Sequence, residues 1–546
     1  MKQEDLEQSK AGQDDLIKSI QRDYANSCSW RNQFDSDWSK YHDYYKGIHN
    51  KKRIKTRNKI FVPETNATIE TIVPQHIMPL MDTKEPIITI MARHPDFDEN
   101  ALSVQNLLEY QFDISNVLRK LIPVYKQAIM YGTGIVMYKW DTRLVERLSP
   151  YGLIEIEEGI PNIEPVNVYD FFIDPNAIEI NDARYIILRK VLSPFMIMDL
   201  EKDGVYDLNG EVFNIDDEEV MGLGIDDPPN RENKQIEVLI YFTKDIIVHL
   251  IDNRIIARVD ENIYNELPFI MGKYIDDPFL FYGIGVCELI SDLQEELNLN
   301  RNQMYDQRDL TCNSMTLFDT TRVLKPEKNM ENRAGKWVGI HGNPSDVIKQ
   351  LVFPDTTQAN LRDEQIIKND MRNVSGSTEL IRGISESGSS MTATEAQMKE
   401  ERASNRFDLT FRSLANDLLV PIARNFIRMT RKFGSDYVVA VNKYMSDRRY
   451  VTIRVENICG DYDYKINVDA NRSFEAYRRE TALQIFQLLV DHKGADQEKL
   501  LRFILERFRI PSAESFVIPL QQVQQAIQEQ AMQEQMQMQQ QAMRQQ

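Results

Sequence analysis

From Tyr282 to Gly376 the chain reads as a helix, a compact β-containing excursion and a second helix returning beside the first, and any fold must keep that pair together. Tyr282-Gly283-Ile284-Gly285 opens the stretch as a flexible hinge. Val286, Ile290, Leu293, Leu297 and Met304 then recur at helical spacing to about Thr311, which gives one apolar face. On a different face Glu288, Asp292 and Glu295 stack at i, i+4 and i+7, and Asp306 falls near the same line, forming an acidic stripe. Leu361, Ile366, Ile367, Met371 and Val374 mark the returning helix, which either Asp355 or Thr356 is placed to cap. A helical hairpin whose tip lies far from the main body presents a small module at the end of a stalk.

A third helix follows a small-residue loop, Ile384 to Ser390, that has little to bury. Thr392-Ala393-Thr394-Glu395 is a capping box in which hydroxyl and carboxylate reciprocally satisfy backbone N–H groups. Phe407, Phe411, Leu414, Leu418, Ile422 and Phe426 share one face of the helix, which ends at Gly434. At ~1.5 Å per residue it spans on the order of 60 Å. Pro421 is expected to kink it where the carbonyl of Asp417 loses its N–H partner.

Upstream, Met1 to about Lys46 has helical character, and Trp30, Phe34, Trp38, Tyr41, Tyr44 and Tyr45 follow at mostly three- and four-residue spacing. That spacing favours a helix docked on a body over an aromatic platform for bases. The basic run Lys51-Lys52-Arg53, continued by Lys55, Arg57 and Lys59, is either a solvated loop or a contact to an acidic neighbour or DNA. Next come a short strand at Ile60 to Val62, a helix from Thr65 to Met81, a strand from Ile87 to Met91, two helices between Asp98 and Met130, and a strand from Ile135 to Trp140. Pro74, Pro79 and Pro123 are expected to kink or break those helices. Gly132-Thr133-Gly134 is a helix stop followed by a strand, because neither a Lys-Ser/Thr pair nor a third glycine follows it.

Strand signals run from Val166 to Ile173, Tyr185 to Val191, Ile236 to Phe242, Ile246 to Ile251 and Ile255 to Val259, the last two joined by a tight turn at Asp252-Asn253-Arg254. After Gly434 strands return at Tyr437 to Val441, Tyr450 to Val455 and Tyr464 to Val468, then helices at Phe474 to Asp491 and Gln497 to Phe508. The tail from Gln521 to Gln546 is glutamine-rich, free of Gly and Pro, and too weakly apolar to hold a lone helix, so it frays or packs against copies of itself. The fold class is α+β.

Composition narrows the function. A chain of 546 residues builds two or three packed units. With 65 basic and 84 acidic residues its net charge is −19, so it does not grip nucleic acid over its whole surface, yet it is able to surround DNA without sticking to it. Cys28, Cys287, Cys312 and Cys459 have neither zinc nor disulfide spacing, which fits synthesis in a reducing cytosol. No apolar leader or membrane-spanning run occurs, so no membrane role is expected. The carboxylates of Asp216-Asp217-Glu218-Glu219 and Asp226-Asp227 lack the ligand order of an EF-hand and read as solvated loop rather than a Mg²⁺ or Ca²⁺ site. There is no phosphate loop, HExxH or GxSxG, and Gly335-Lys336-Trp337 lacks the glycine and hydroxyl a phosphate loop needs. No catalytic residue, cofactor or metal is therefore assigned, and the chain is expected not to be an enzyme.

Four stretches in this order and spacing resemble the portal (head-to-tail connector) proteins of tailed double-stranded DNA bacteriophages, most of all the large portals of the short-tailed type. They are Phe61-Val62-Pro63 with the helix after it, Tyr131 to Trp140, Tyr282 through Gln294, Asn298 and Asn300-Arg301-Asn302-Gln303, and Gly383 to Glu395. The resemblance implies a dodecameric ring at one capsid vertex of the virion, made in the host cytoplasm, with DNA packaged and ejected through its channel. It implies an α/β wing at 1–276 and 392–470, a hinge and first stem helix at 277–311, a small α/β clip at 312–355, and a second stem helix at 356–376. A tunnel loop at 377–391, a helical crown at 471–511 and a glutamine-rich C-terminal helical barrel at 512–546 complete it. Implied partners are the terminase large subunit, then tail adaptor proteins, with the major capsid and scaffolding proteins around the ring.

On that reading Glu288, Asp292, Glu295 or Asp306 lines the channel, or the stripe instead pairs between subunits with Arg301 or Arg308. Ser385, Glu386, Ser387, Gly388, Ser389 and Ser390 form the tunnel loop. Arg322, Lys325, Lys328, Arg333 and Lys336, set against Asp319, Glu327 and Glu331, give the clip a charge-mixed docking surface. The alternatives are a virion adaptor or scaffold protein and a nucleotide-hydrolysing packaging enzyme.

Overall fold

The computed structural model describes residues 10–48, 57–81, 86–149, 152–208, 235–312, 316–319, 321, 340–343, 348–350, 354, 356–377, 393–434, 437–440, 450–454, 458, 460–466 and 486–487. Helix α1 (Lys10–Lys46) leads to α2 (Glu64–Met81), strand β1 (Ile88–Ala92), α3 (Asp98–Ile114) and α4 (Val117–Tyr131). Strands β2 (Thr133–Ser149), β3 (Gly152–Val166), β4 (Phe171–Ile173) and β5 (Ile186–Leu192) precede the short α5 (Pro194–Lys202). Then come β6 (Ile236–Phe242), β7 (Ile246–Ile251), β8 (Ile255–Glu261) and β9 (Phe269–Lys273). Helix α6 (Val286–Cys312), the pair β10 (Thr316–Phe318) and β11 (Ile348–Gln350), and α7 (Thr357–Ser375) form the stalk. Helix α8 (Ala393–Phe433) and strands β12 (Tyr437–Ala440), β13 (Tyr450–Ile453) and β14 (Tyr462–Ile466) end the described elements. This mixed content is α+β, as expected. The crown and tail assigned to 471–546 lie almost wholly outside the described residues.

The five-stranded antiparallel sheet, in the order β4-β5-β6-β7-β8, is buried on both faces. Ile186, Leu188, Val238, Ile240 and Phe242 enter the large central core, while Ile187, Leu239, Tyr241 and Val248 pack under Ile20 of α1. Alternate residues of one strand thus fill two cores, which is why β6 is apolar at nearly every position. The turn between β7 and β8 has Asp252 at φ 49 and Asn253 at φ 56, the two left-handed residues a tight hairpin of this kind needs.

Helix α1 docks through the expected aromatic face: Trp38 and Tyr41 are buried, and Trp30 and Phe34 pack against the same core. Arg31 fastens it. Its guanidinium lies 3.8 Å from the Phe172 ring centroid, donates to the carbonyls of Tyr169 at 2.8 Å and Phe171 at 3.3 Å, and pairs with Asp35 at 3.0 Å. Arg31→Ala is expected to cost about 2 kcal/mol and to make α1 the first site of limited proteolysis, with Arg31→Lys recovering little because it lacks the planar fork. An unchanged cleavage pattern and melting point would refute the fastening role.

Three expectations change. The strand placed at Val166 to Ile173 is two pieces, separated by a turn of 3-10 helix at Val168–Asp170. Val166 instead ends β3, which pairs with β2 over a long antiparallel hairpin from Ile135↔Val166 to Ser149↔Gly152. Pro161 and Pro165 are tolerated there because β3 is the edge of the sheet β3-β2-β9. Second, Ile60 to Val62 forms no strand. Third, of the kink or break expected at Pro74, Pro79 and Pro123, the break does not occur: α2 and α4 continue through all three.

Candidate stem and channel surface

The stalk is rooted where two Gly-X-Gly stretches cross, backbone on backbone. Gly132 ends α4 in a left-handed conformation at φ 91, and its N–H donates to the Ala128 carbonyl at 2.8 Å. Its own carbonyl accepts from the Tyr274 N–H at 2.9 Å, and the Gly283 N–H donates to the Thr133 hydroxyl at 2.9 Å. A Cβ on Gly132 would stand 1.8 Å from the Gly283 carbonyl oxygen, and one on Gly285 2.5 Å from the Met130 oxygen. Tyr282 is buried between Trp30, Phe34 and Trp38, with ring centroids 4.8 to 5.5 Å away. The expected flexible hinge is therefore a locked joint: its glycines provide close approach rather than freedom. The helix-stop reading of Gly132 agrees with the structure.

Helices α6 and α7 lie side by side. Glu364, buried on α7, accepts from Arg301 of α6 and from Lys368 at 2.8 Å. Burial alone would raise the Glu364 carboxyl, but the hydrogen bonds from Lys368 and Arg301 overcome it and hold the pKa below the usual range. Asn300 Nδ2 donates to the Asn360 carbonyl at 3.0 Å and Gln307 Nε2 to the Pro354 carbonyl at 2.6 Å. The returning helix marked by Leu361, Ile366, Ile367, Met371 and Val374 is present as α7; Ile367 and Met371 are buried, whereas Leu361, Ile366 and Val374 are exposed. Thr356 is the N-cap of α7, but its side chain makes no capping bond.

Of the acidic stripe, the structure brings Glu288, Asp292 and Glu295 together on the side of α6 that meets α1. Asp292 is 98% exposed, and Lys40 approaches Asp292 at 3.8 Å and Glu295 at 3.2 Å. Burial, then the like charges of Asp37 and Asp277, push the Glu288 carboxyl up. Three carboxylates against one lysine leave the patch net acidic. Asp306 is engaged differently: its carboxylate accepts the backbone N–H groups of Arg57 at 2.9 Å and Asn58 at 2.8 Å. Burial would raise it, yet those hydrogen bonds leave it below the usual range. Arg301 is occupied by Glu364 within the same chain.

The tunnel-loop residues Ser385 to Ser390 and the clip cations Arg322, Lys325, Lys328, Arg333 and Lys336 lie outside the described residues. Of the segment 312–355 expected as the clip, the described residues form the antiparallel pair β10 and β11, Thr316↔Gln350 to Phe318↔Ile348. Helix α8 runs without interruption through Pro421, which lines an open cleft of about 880 Å³ with Asp417, Arg424, Arg428 and Lys273.

Sequence reasoning gave no role to Gln294, Asn298 and Asn302, which are 0%, 3% and 1% exposed. A signal was present: the column Val286, Ile290, Gln294, Asn298, Asn302, Asp306 steps by four, passing from apolar to amide to acid. Buried amides in such a column demand partners.

Among the described residues no cluster of His, Cys, Asp or Glu is arranged to hold a metal ion, and no helix is long and apolar enough to cross a membrane. No curated protein matches the chain. A family model described as Phage SU10 portal protein matches residues 152–546, a span that holds the five-stranded sheet, both stalk helices and the long α8. Because that match covers well over half of the sequence, the chain belongs to the Phage SU10 portal protein family and is a phage portal protein.

Proposed function

We propose that the chain forms a closed dodecameric ring at one vertex of the capsid, with the α6–α7 stem around a channel through which double-stranded DNA is packaged and ejected. Family membership carries this reading. One feature of the chain supports it. The stem leaves Leu299, Leu361 and Ile366 exposed at 48%, 46% and 51%, an apolar surface that a neighbouring copy's stem would cover. The clip at the stem's far end is where terminase and later tail adaptors would dock, through Arg322, Lys325, Lys328, Arg333 and Lys336. Wing, crown and barrel occupy the ranges given above, with a bend of α8 at Pro421, and the outer wing meets capsid and scaffolding proteins. The portal is a structural part of the virion, not an enzyme.

The acidic patch gives the channel its physics. Duplex DNA carries about one charge per ~1.7 Å, so a cationic wall would hold it and a carboxylate wall lets it slide. Glu288, Asp292 and Glu295 line that wall, with Asp306 at its edge. Ser385 to Ser390 serve as a ratchet or seal on the passing DNA, and deleting them should lower packaging or DNA retention. Negative-stain images of the purified chain should show closed rings with a central hole; open particles, or hydrolysis of ATP by the pure chain, would overturn the reading. Glu288→Lys with Asp292→Lys should leave rings intact while packaged DNA falls by about tenfold or more. Normal packaging by those rings would sink the sliding wall.

A further inference from the structure

The segment Arg57 to Pro63 joins no sheet, yet alternate N–H groups along it, those of Asn58, Ile60 and Val62, are hydrogen-bonded, the alternation of an extended chain. It runs antiparallel along α6 and hydrogen-bonds to a column of side chains. Asn58 N–H donates to Asp306 at 2.8 Å, Ile60 N–H to Asn302 Oδ1 at 2.6 Å, and Val62 N–H to Asn298 Oδ1 at 2.9 Å. Thr65 N–H donates to Gln294 Oε1 at 2.9 Å, joined there by the Thr65 hydroxyl at 2.8 Å. The amides also return the favour: Asn302 Nδ2 donates to the Ile60 carbonyl at 3.1 Å and Gln294 Nε2 to the Val62 carbonyl at 2.7 Å.

The match is one of periods. Four helical residues rise ~6.0 Å, and two extended residues advance ~6.6 to 6.8 Å, so every second strap residue meets every fourth helix residue. In an extended chain the N–H and C=O of one residue point the same way, which is why Ile60 and Val62 each offer both groups to the column. The small surplus per step is absorbed at the upper end. There the strap turns into α2, the step lengthens from Val62 to Thr65, and the longer Gln replaces Asn. Gln294 also satisfies an N–H that the first turn of α2 leaves without an intrahelical partner. Each step of four residues advances ~40° around the helix, which brings the strap onto the line of the acidic stripe at Asp306.

We propose that Gln294, Asn298, Asn302 and Asp306 are positioning residues that set the axial register of the stem helix against the N-terminal helices, with the strap as the part that transmits load between them. A shift of α6 by one rung would strand a buried amide at one end and a backbone N–H at the other, so the stem moves with α2 or not at all. The register is a property of the single chain; the load-bearing role rests on the portal reading.

Hydrogen exchange on the full chain tests it. The amides of Ile60, Val62 and Thr65 should be protected in the unaltered protein, and Asn302→Leu or Asn298→Leu should speed their exchange by about tenfold or more while β5 and β6 stay unchanged. Asn298→Asp keeps the acceptor for Val62 and should keep protection. In cells supplied with the Asn302→Leu chain, rings should form but DNA-filled heads should drop by a similar factor. Unprotected strap amides in the unaltered protein, or unchanged exchange in the Leu variants, would overturn the register, and this comparison stands even if a Leu variant folds poorly, because Asn298→Asp and the unaltered chain decide it. A released strap with full packaging would overturn the load-bearing role. Failure of the unaltered chain to form rings would instead count against the portal reading.

Discussion

Replacing Gly132 by alanine is expected to cost the fold about 4 kcal/mol or more. Two penalties coincide. At φ 91 a side chain is strained whatever surrounds it, and here the new Cβ would sit 1.8 Å from the Gly283 carbonyl oxygen, with the Gly283 carbonyl carbon at 2.4 Å and the Ile284 nitrogen at 2.9 Å. Those are backbone atoms, tied by the Gly283 bond to Thr133 and the Ile284 bond to Ile275, so neither stretch moves without giving up hydrogen bonds. Gly204 separates the two penalties: it has φ 70 and nothing within 4 Å of a built Cβ. Gly204→Ala should therefore cost only the conformational strain, about 1 to 2 kcal/mol. Thermal unfolding midpoints of the two variants give the comparison. Equal shifts would show that the crossing of the two glycine stretches is not close-packed.

Glycine satisfies two different needs, freedom and close approach, and a sequence displays the residue without the need. Only the partner backbone, 150 positions away in the Gly283 to Thr133 bond, decides between them. The same limit hid the strap. Ile60 to Val62 carries the apolar, β-branched composition of a strand, but its hydrogen-bonding partner is a helix face rather than another strand. By contrast, Ile236–Phe242 and Ile246–Ile251 were legible to the residue because β-branched runs and an Asp-Asn turn fix them locally. The apolar face of α8 was legible for a similar reason: Phe411, Leu414, Leu418, Ile422 and Phe426 repeat with the helix and are all buried. On α7 periodicity was less informative. Leu361, Ile366 and Val374 are exposed in the single chain, and no pattern within one sequence says whether an apolar side chain meets its own core or a neighbouring copy.

Acid is expected to loosen the stem, and Glu364 should account for much of the effect. Its carboxylate is 8% exposed and holds Arg301, 25% exposed, across the α6–α7 contact, and Lys368, also 25% exposed, one turn along its own helix. Replacing it with the isosteric Gln leaves two cations facing a neutral amide in a half-shielded site. Full burial of such a pair would put the loss at about 3 to 5 kcal/mol; the partial exposure of both cations lowers it to about 2 to 3 kcal/mol. The pH dependence follows from the depressed pKa of Glu364. A carboxyl that is more acidic in the folded chain than in the unfolded one contributes its stability above the unfolded value, near 4.5, and loses it as the pH falls through the lower, folded value. Below that window both states are protonated and the contribution is gone. Thermal midpoints of the unaltered chain and of Glu364→Gln should therefore differ most at neutral pH and converge in acid. Asp306, also held below its usual range, titrates in both proteins and cancels in the comparison. A gap that stayed constant from neutral pH into acid would mean that the ionised carboxylate does not hold α6 to α7. The buried apolar pair Ile367 and Met371 would then be the contact that keeps the stem closed.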